Sequence, residues 1–269
     1  MGKINDLKNE ALASLRGKWG SFVGLTFIYV LLYVVAQAFA QFGTIFQGST
    51  FTTLTYIFMS VGFVVSILLI PLQYGYCIAY LNSSRQDLPA DIGDLFCGYR
   101  RFIDVFVTVL LQGLAIAGAM LLSIIFIAVA VGLGLMESHV VLFTFIAAVL
   151  MIPGFVLAIA YAMVFFILHD KPELRPVDVL RESRKMMNGH KMEFFLLMLS
   201  FFGWMVLAVL TLFIGLLWLA PYMQMTEFKF YERLRAEYEG VPEEEMPASD
   251  VMPLQEAFPQ EEEPVELSE

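Results

Sequence analysis

The sequence predicts an all-α fold: a polytopic helical membrane protein of six transmembrane helices, arranged as three hairpins each preceded by an amphipathic interfacial helix. Three observations carry that reading. Of 269 residues, 59% are apolar and only 16% charged, against about 25% charged in an ordinary soluble domain. With a mean hydropathy of +0.73, and 25 Phe and 15 Met, the excess of large apolar side chains requires lipid as its solvent. Lys and Arg gather in alternate connections between the apolar runs, and a similar pattern of amphipathic stretch, hairpin and proline recurs along the chain.

Residues 1–20 are polar and charged and precede the first long apolar run, so they read as an N-terminal amphipathic cytoplasmic segment with no cleavable signal. Met1-Gly2 begins a myristoylation pattern, but Asp6 stands where Ser or Thr is needed. Between Lys18 and Arg85 no residue is charged. About 20 apolar residues cross the hydrocarbon, so two spans fit there: Ser21–Phe42 and Tyr56–Leu81, joined around Gly43–Thr53. The third span runs from Phe102 to Met136 and the fourth from Val140 to Leu168, with Glu137, Ser138 and His139 as the turn.

The block Phe194–Ala220 is about 40 Å long as a helix, too long for one span and too short for two. Charge decides. Bases precede span one (Lys3, Lys8, Arg16, Lys18), separate spans two and three (Arg85, Arg100, Arg101) and separate spans four and five (Lys171, Arg175, Arg181, Arg184, Lys185, Lys191). Because bases stay in the cytoplasm, Lys229, Arg233 and Arg235 return there only if the chain turns near Thr211–Gly215. The sixth span then covers about Ile214–Phe230, and the membrane domain covers 21–235. This places the protein in a bacterial cytoplasmic membrane, multi-pass, with both termini cytoplasmic.

Internal similarity points the same way. The stretches EALASLRGKWGSF, DIGDLFCGYRRFIDVF and PVDVLRESRKMMNGHKMEFF each precede a pair of spans, and the second span of each pair carries a proline, Pro71, Pro153 and Pro221. In the third stretch Pro176 suits a first helical position, Val177, Leu180 and Met187 line one face, and Arg181, Arg184 and Lys185 lie on or beside the other. Such helices settle at the headgroups, which makes Arg100, Arg101, Arg181, Arg184 and Lys185 candidate contacts for anionic lipid, worth about 1 kcal/mol per base.

After Arg235 there are 12 acids and no Lys or Arg, so the net charge of −10 belongs to the tail. Residues 236–269, rich in Pro and Glu, have too few large apolar side chains to offset ordering entropy and read as a disordered cytoplasmic tail. Two readings of it stay open: a docking segment for a basic protein partner, or a solvating tail repelled by the membrane surface.

For chemistry, the span interiors contain no ionisable residue. Asp104, Glu137, His139, His169, Asp170, Glu193 and Glu227 all fall at predicted boundaries, where they are expected to stay hydrated, which argues against a proton-coupled pump or voltage sensor. The polar groups within spans are amides, hydroxyls and phenols, among them Gln37, Gln41, Gln73, Tyr74, Gln112 and Gln224. Interhelical hydrogen bonding accounts for them. The functional alternative is a small central cavity or hinge at Pro71, Gln73, Pro153, Pro221, Tyr222 and Gln224, since proline frees backbone carbonyls. Cys77 and Cys97 read as packing residues, with no disulfide or zinc pattern. No catalytic, cofactor-binding or metal-ligating set is expected. An acid-base or metal site would require His169, Asp170 and His190 to converge.

The segment LSFFGWMVLAVLTLFIGLLWLAPYMQMTEFKFYERL resembles the bacterial domain-of-unknown-function 975 family of integral membrane proteins, through Trp204, Thr211-Leu212 with Gly215, Trp218, Pro221-Tyr222 and Tyr231. ALASLRGKWG and DIGDLFCGYRRF resemble the family's other marked stretches, so the likeness covers residues 7–235; Phe213 stands where Gly is common. In span pattern the family is similar to the membrane domain attached to some glycerophosphodiester phosphodiesterases, a likeness that implies no activity here. The sequence is thus expected to be a non-enzymatic scaffold or accessory subunit engaging membrane lipids or partner proteins, with no cofactor and no nucleic acid. The alternative is a transporter or channel for a small uncharged or amphiphilic molecule.

Overall fold

The computed structural model describes residues 2–42 and 52–240, so most of the Gly43–Thr53 connection and the tail beyond Gly240 lie outside the described residues. Every element among the described residues is helical: α1 (Gly2–Leu15), α2 (Trp19–Phe42), α3 (Thr52–Leu68), α4 (Ile70–Gln86), a 3-10 turn (Ile92–Phe96) leading into α5 (Cys97–Arg100), α6 (Phe102–Gly132), α7 (Leu135–Ala160), α8 (Val164–Asp170), α9 (Pro176–Met186), α10 (Lys191–Leu199), α11 (Phe202–Leu210) and α12 (Leu216–Glu239). In an apolar solvent each backbone N–H must find its acceptor within its own segment, and the helix provides it.

Five stretches are long and apolar enough to cross a membrane: 19–38, 56–86, 102–132, 139–170 and 191–210. Only 11–22% of their most apolar windows is buried inside the protein, so most of those side chains face outward, as a lipid-solvated helix requires. Helix α12 is not among the five, because its second half carries Glu227, Lys229, Glu232, Arg233 and Arg235. The chain nevertheless reverses at Thr211–Ile214 and packs α12 on α11. The Thr211 hydroxyl holds that turn, donating to the Ala208 carbonyl at 2.8 Å and accepting from the Gly215 N–H at 3.0 Å.

The core sits toward the charged ends of the helices, around α4, α8 and α12. From Pro71 to Ser83 every residue is buried except Gln73. Phe22 of α2 stacks on Tyr80 with ring centroids 4.9 Å apart, and the buried Thr26, Tyr76 and Tyr80 hydroxyls form a hydrogen-bonded triangle of 2.9–3.1 Å.

The amphipathic stretches pack in a cyclic order. Helix α1 buries Leu7, Ala11 and Leu15 and packs on α12; the 3-10 turn and α5 pack on α4; α9 packs on α8 and α6. The first helix thus lies against the last, α1 against α12. The glycines explain the closest of these contacts. A Cβ on Gly75 would lie on the Leu95 carbonyl, and one on Gly98 on the Pro71 carbonyl, so only glycine admits this approach of backbones.

Some boundaries differ from the sequence reading. The α6–α7 turn is Leu133–Gly134, with Gly134 at φ 67°, because glycine takes the left-handed conformation that ends α6; Glu137–His139 instead follows the start of α7, where His139 makes a kink at φ −139°, ψ 44°. The predicted second and fourth spans fall within the single apolar stretches 56–86 and 139–170, with local turns at Leu69 and at Tyr161–Met163. In α9 and at its C-cap the predicted Leu180 and Met187 are buried, with Val179, Ser183 and Met186, whereas Val177 is 50% exposed. Helix α12 continues to Glu239 and stops at Gly240, φ 68°, so the tail starts later than residue 236.

Candidate functional site

Besides the Thr26–Tyr76–Tyr80 triangle, the described residues form an ion cluster and a cavity with polar lining. The cluster joins the ends of α4, α8 and α12. Asp170, whose side chain is only 5% exposed, accepts from both Arg85 terminal nitrogens at 2.7 and 2.8 Å, from the Tyr231 hydroxyl at 2.8 Å and from Arg235 at 2.9 Å. Glu232 approaches Arg85 at 3.6 Å. Burial and the neighbouring Asp170 charge push the Tyr231 hydroxyl well above its ordinary pKa, which keeps it a donor. Arg101 completes the cap, donating to the Leu168 and Pro172 carbonyls at 3.0 Å each. Asp170 is therefore not the hydrated boundary acid that the sequence predicts: two guanidinium groups and a phenol replace its water.

The cavity lies about two to three helical turns deeper, counted along α4 and α12. It is a half-open pocket of about 370 Å³ between α4, α6, the α7–α8 turn and α12, and its polar lining is Gln73, Cys77, Gln112, Tyr161, Gln224 and Glu227. Gln73 is the exposed residue in the buried run of α4 because it faces this space. Gln224 donates weakly to the Cys77 sulfur at 3.6 Å. Phe165 and Phe166, with Val109 and Ile116, supply apolar wall. The turn at Tyr161–Met163 places Tyr161 and Ala162 on the cavity wall.

The residues singled out from the sequence fall in several places. Gln73 and Gln224 meet in the cavity, and Gln112 joins them from α6, but Pro71, Pro153, Pro221 and Tyr222 do not line it. Pro71 is the second residue of α4, just after the break at Leu69, while Pro153 and Pro221 lie within continuous helices. Tyr222 packs edge-on against Phe201 with centroids 5.1 Å apart. Among the candidate headgroup contacts, Arg100 and Arg184 are exposed, Arg181 pairs with Asp178 at 3.0 Å, Lys185 lies 4.0 Å from Glu182, and Arg101 faces inward. His169 meets Tyr74 at 3.4 Å, whereas His190 pairs with Glu193 at 3.5 Å and Glu237 at 3.4 Å, so His169, Asp170 and His190 do not converge.

Sequence reasoning missed Glu227 and the cluster. One signal was available for the cluster: Arg85 follows Pro71 and Arg235 follows Pro221 by the same 14 residues.

A family model described as "Protein of unknown function (DUF975)" matches residues 1–238. The chain belongs to this family. The DUF975 match takes in both the ion cluster and the cavity and leaves out the acidic tail. No curated protein and no solved structure matches the chain.

Proposed function

We propose that this DUF975 protein is a non-enzymatic, six-span component of a bacterial cytoplasmic membrane that binds and passes a small amphiphilic molecule. The observation that carries the reading is the cavity, where Gln73, Gln112 and Gln224 from three helices meet beside Glu227. Ligand sites are concave, largely apolar and furnished with a few convergent polar groups, in volumes of roughly 300–1,000 Å³. The six-span topology is supported by Arg235: it shares Asp170 with Arg85, so α12 ends on the side where α4 and α8 end. Bases mark that side as cytoplasmic.

The test is native mass spectrometry of protein extracted from its own membrane in mild detergent. The wild type is expected to release a small molecule on activation that the Gln73→Leu/Gln224→Leu variant lacks. Identical small-molecule content in the two proteins overturns the reading.

A second reading, a scaffold engaging lipid and partner proteins, is favoured by α9, whose outward face presents Arg175, Arg181, Arg184 and Lys185 opposite its buried stripe. Copurification of a protein at fixed stoichiometry, lost when Arg181, Arg184 and Lys185 are changed to Gln, would place this reading first. In that arrangement the acidic tail is the segment offered to a basic partner.

A further inference from the structure

Among the described residues Glu227 is the one carboxyl on the cavity wall, and it forms no hydrogen bond or ion pair with them. The nearby bases are engaged elsewhere. Lys229 pairs with Glu232 at 3.0 Å, and Arg85 and Arg235 are held by Asp170. Eight residues separate Glu227 from Arg235, and eight separate Cys77 from Arg85, so the carboxyl lies about 12 Å along the axis from the Asp170 cluster, with the Lys229–Glu232 pair between them on α12. An acid on an apolar wall without a partner marks a site where something answers it.

The rest of the wall states what would answer it. Gln73 and Gln112 make no side-chain hydrogen bond among the described residues, and their amide oxygens are further acceptors beside the carboxylate. No basic group among the described residues lines the cavity, so an anion would meet like charge and no counter-ion. Phe165, Phe166, Val109 and Ile116 supply apolar and aromatic surface that a hydrated metal ion does not use but an alkyl chain does. A cation with several N–H donors and an apolar body satisfies both halves of the wall, with the aromatic rings adding cation–π attraction.

We infer that the cavity is a binding site for a primary alkylammonium, with Glu227 as counter-ion and the Gln73, Gln112 and Gln224 amides as the remaining acceptors. This inference rests on the small-molecule reading and assigns its ligand class. The ammonium loses its water to the carboxylate and amides, and its alkyl part lies along Phe165 and Val109.

The test is isothermal titration of the full chain in lipid nanodiscs with n-butylammonium chloride at neutral pH, with empty nanodiscs subtracted. Parallel arms use tetramethylammonium chloride, potassium chloride and n-butanol. Saturable binding of n-butylammonium is expected, weakened by at least about tenfold in Glu227→Gln, where a charge-assisted bond is lost. Glu227→Asp should recover part of it, and tetramethylammonium, which has no N–H donors, should bind less tightly. If Glu227→Gln fails to fold, Gln112→Leu must weaken binding severalfold in its place. Equal affinity for n-butanol overturns the ammonium assignment and leaves the small-molecule reading standing. Equal affinity for potassium overturns the assignment in favour of an inorganic cation. Saturable binding in none of the arms overturns both.

Discussion

At the residue scale, the turn between α11 and α12 stores strain at two non-glycine positions: Leu212 and Phe213 stand at φ 54° and 67°. A left-handed L-residue costs about 1–2 kcal/mol, and Phe213 is 62% exposed within the protein, so its ring returns little packing of its own. Phe213→Gly should therefore raise thermal stability by about 1 kcal/mol, read as a higher melting temperature in detergent, while Phe213→Ala should not. An unchanged melt for the glycine variant would show that the ring's contacts offset the backbone cost.

Asp170 is the residue with most to lose. Removing one partner of a buried ion network leaves uncompensated charge and costs about 3–5 kcal/mol. Asp170→Asn should destabilise by that order, because Arg85, 14% exposed, and Arg235, 27% exposed, then lose the carboxylate they share and keep only Glu232 and Glu239 at their edges. A double-mutant cycle with Arg85→Met separates coupling from lost packing: the double variant should be less destabilised than the sum of the singles. Additivity within about 0.5 kcal/mol would mean that the pair does not act as a unit.

At the scale of elements, the 3-10 turn and α5 are held on α4 by backbone contact. The groups that a methyl would meet at Gly75 and Gly98 are carbonyls, which cannot swing aside as a long side chain can. Gly75→Ala and Gly98→Ala should each cost about 1–3 kcal/mol or more. Gly24→Ala, where a Cβ meets nothing within 4 Å, should be neutral or stabilising, since alanine favours the helix. Limited proteolysis between Asp87 and Asp94 reads undocking directly, because a lifted segment is cut first. Equal protease resistance in all three variants would argue against backbone contact as the anchor.

At the scale of the whole molecule, the packing order of α1 on α12, α5 on α4 and α9 on α8 makes the first and last helices neighbours. Leu7, Ala11 and Leu15 are 2%, 0% and 0% exposed in that contact, so α1 is structural. Ala11→Asp, which buries an unpaired charge, should abolish folded yield, whereas Glu10→Gln on the exposed side should not. The closed order also bears on sidedness: on the proposed topology a reporter fused after Glu269 is active in the cytoplasm. A periplasmic signal would remove the sixth span and the threefold plan together.

By itself the sequence determined the solvent, the helices and the family. Lipid is demanded by uncharged runs such as Trp19–Ser84, helices follow from lipid, and the turn at Thr211–Gly215 was legible from the bases beyond it, Lys229, Arg233 and Arg235. The sequence offered Gln73 and Gln224 as cavity residues beside Pro71 and Pro221; both glutamines line the cavity and the prolines do not. Only the tertiary structure decided which groove each polar side chain faces. Glu227 lies among charged neighbours in sequence and reads as a hydrated boundary residue, yet it lines the cavity, while Lys229 two positions on pairs with Glu232. Successive residues of a helix point about 100° apart, so sequence locates a side chain along the axis far better than around it. The direction around the axis is set by neighbouring helices distant in the chain.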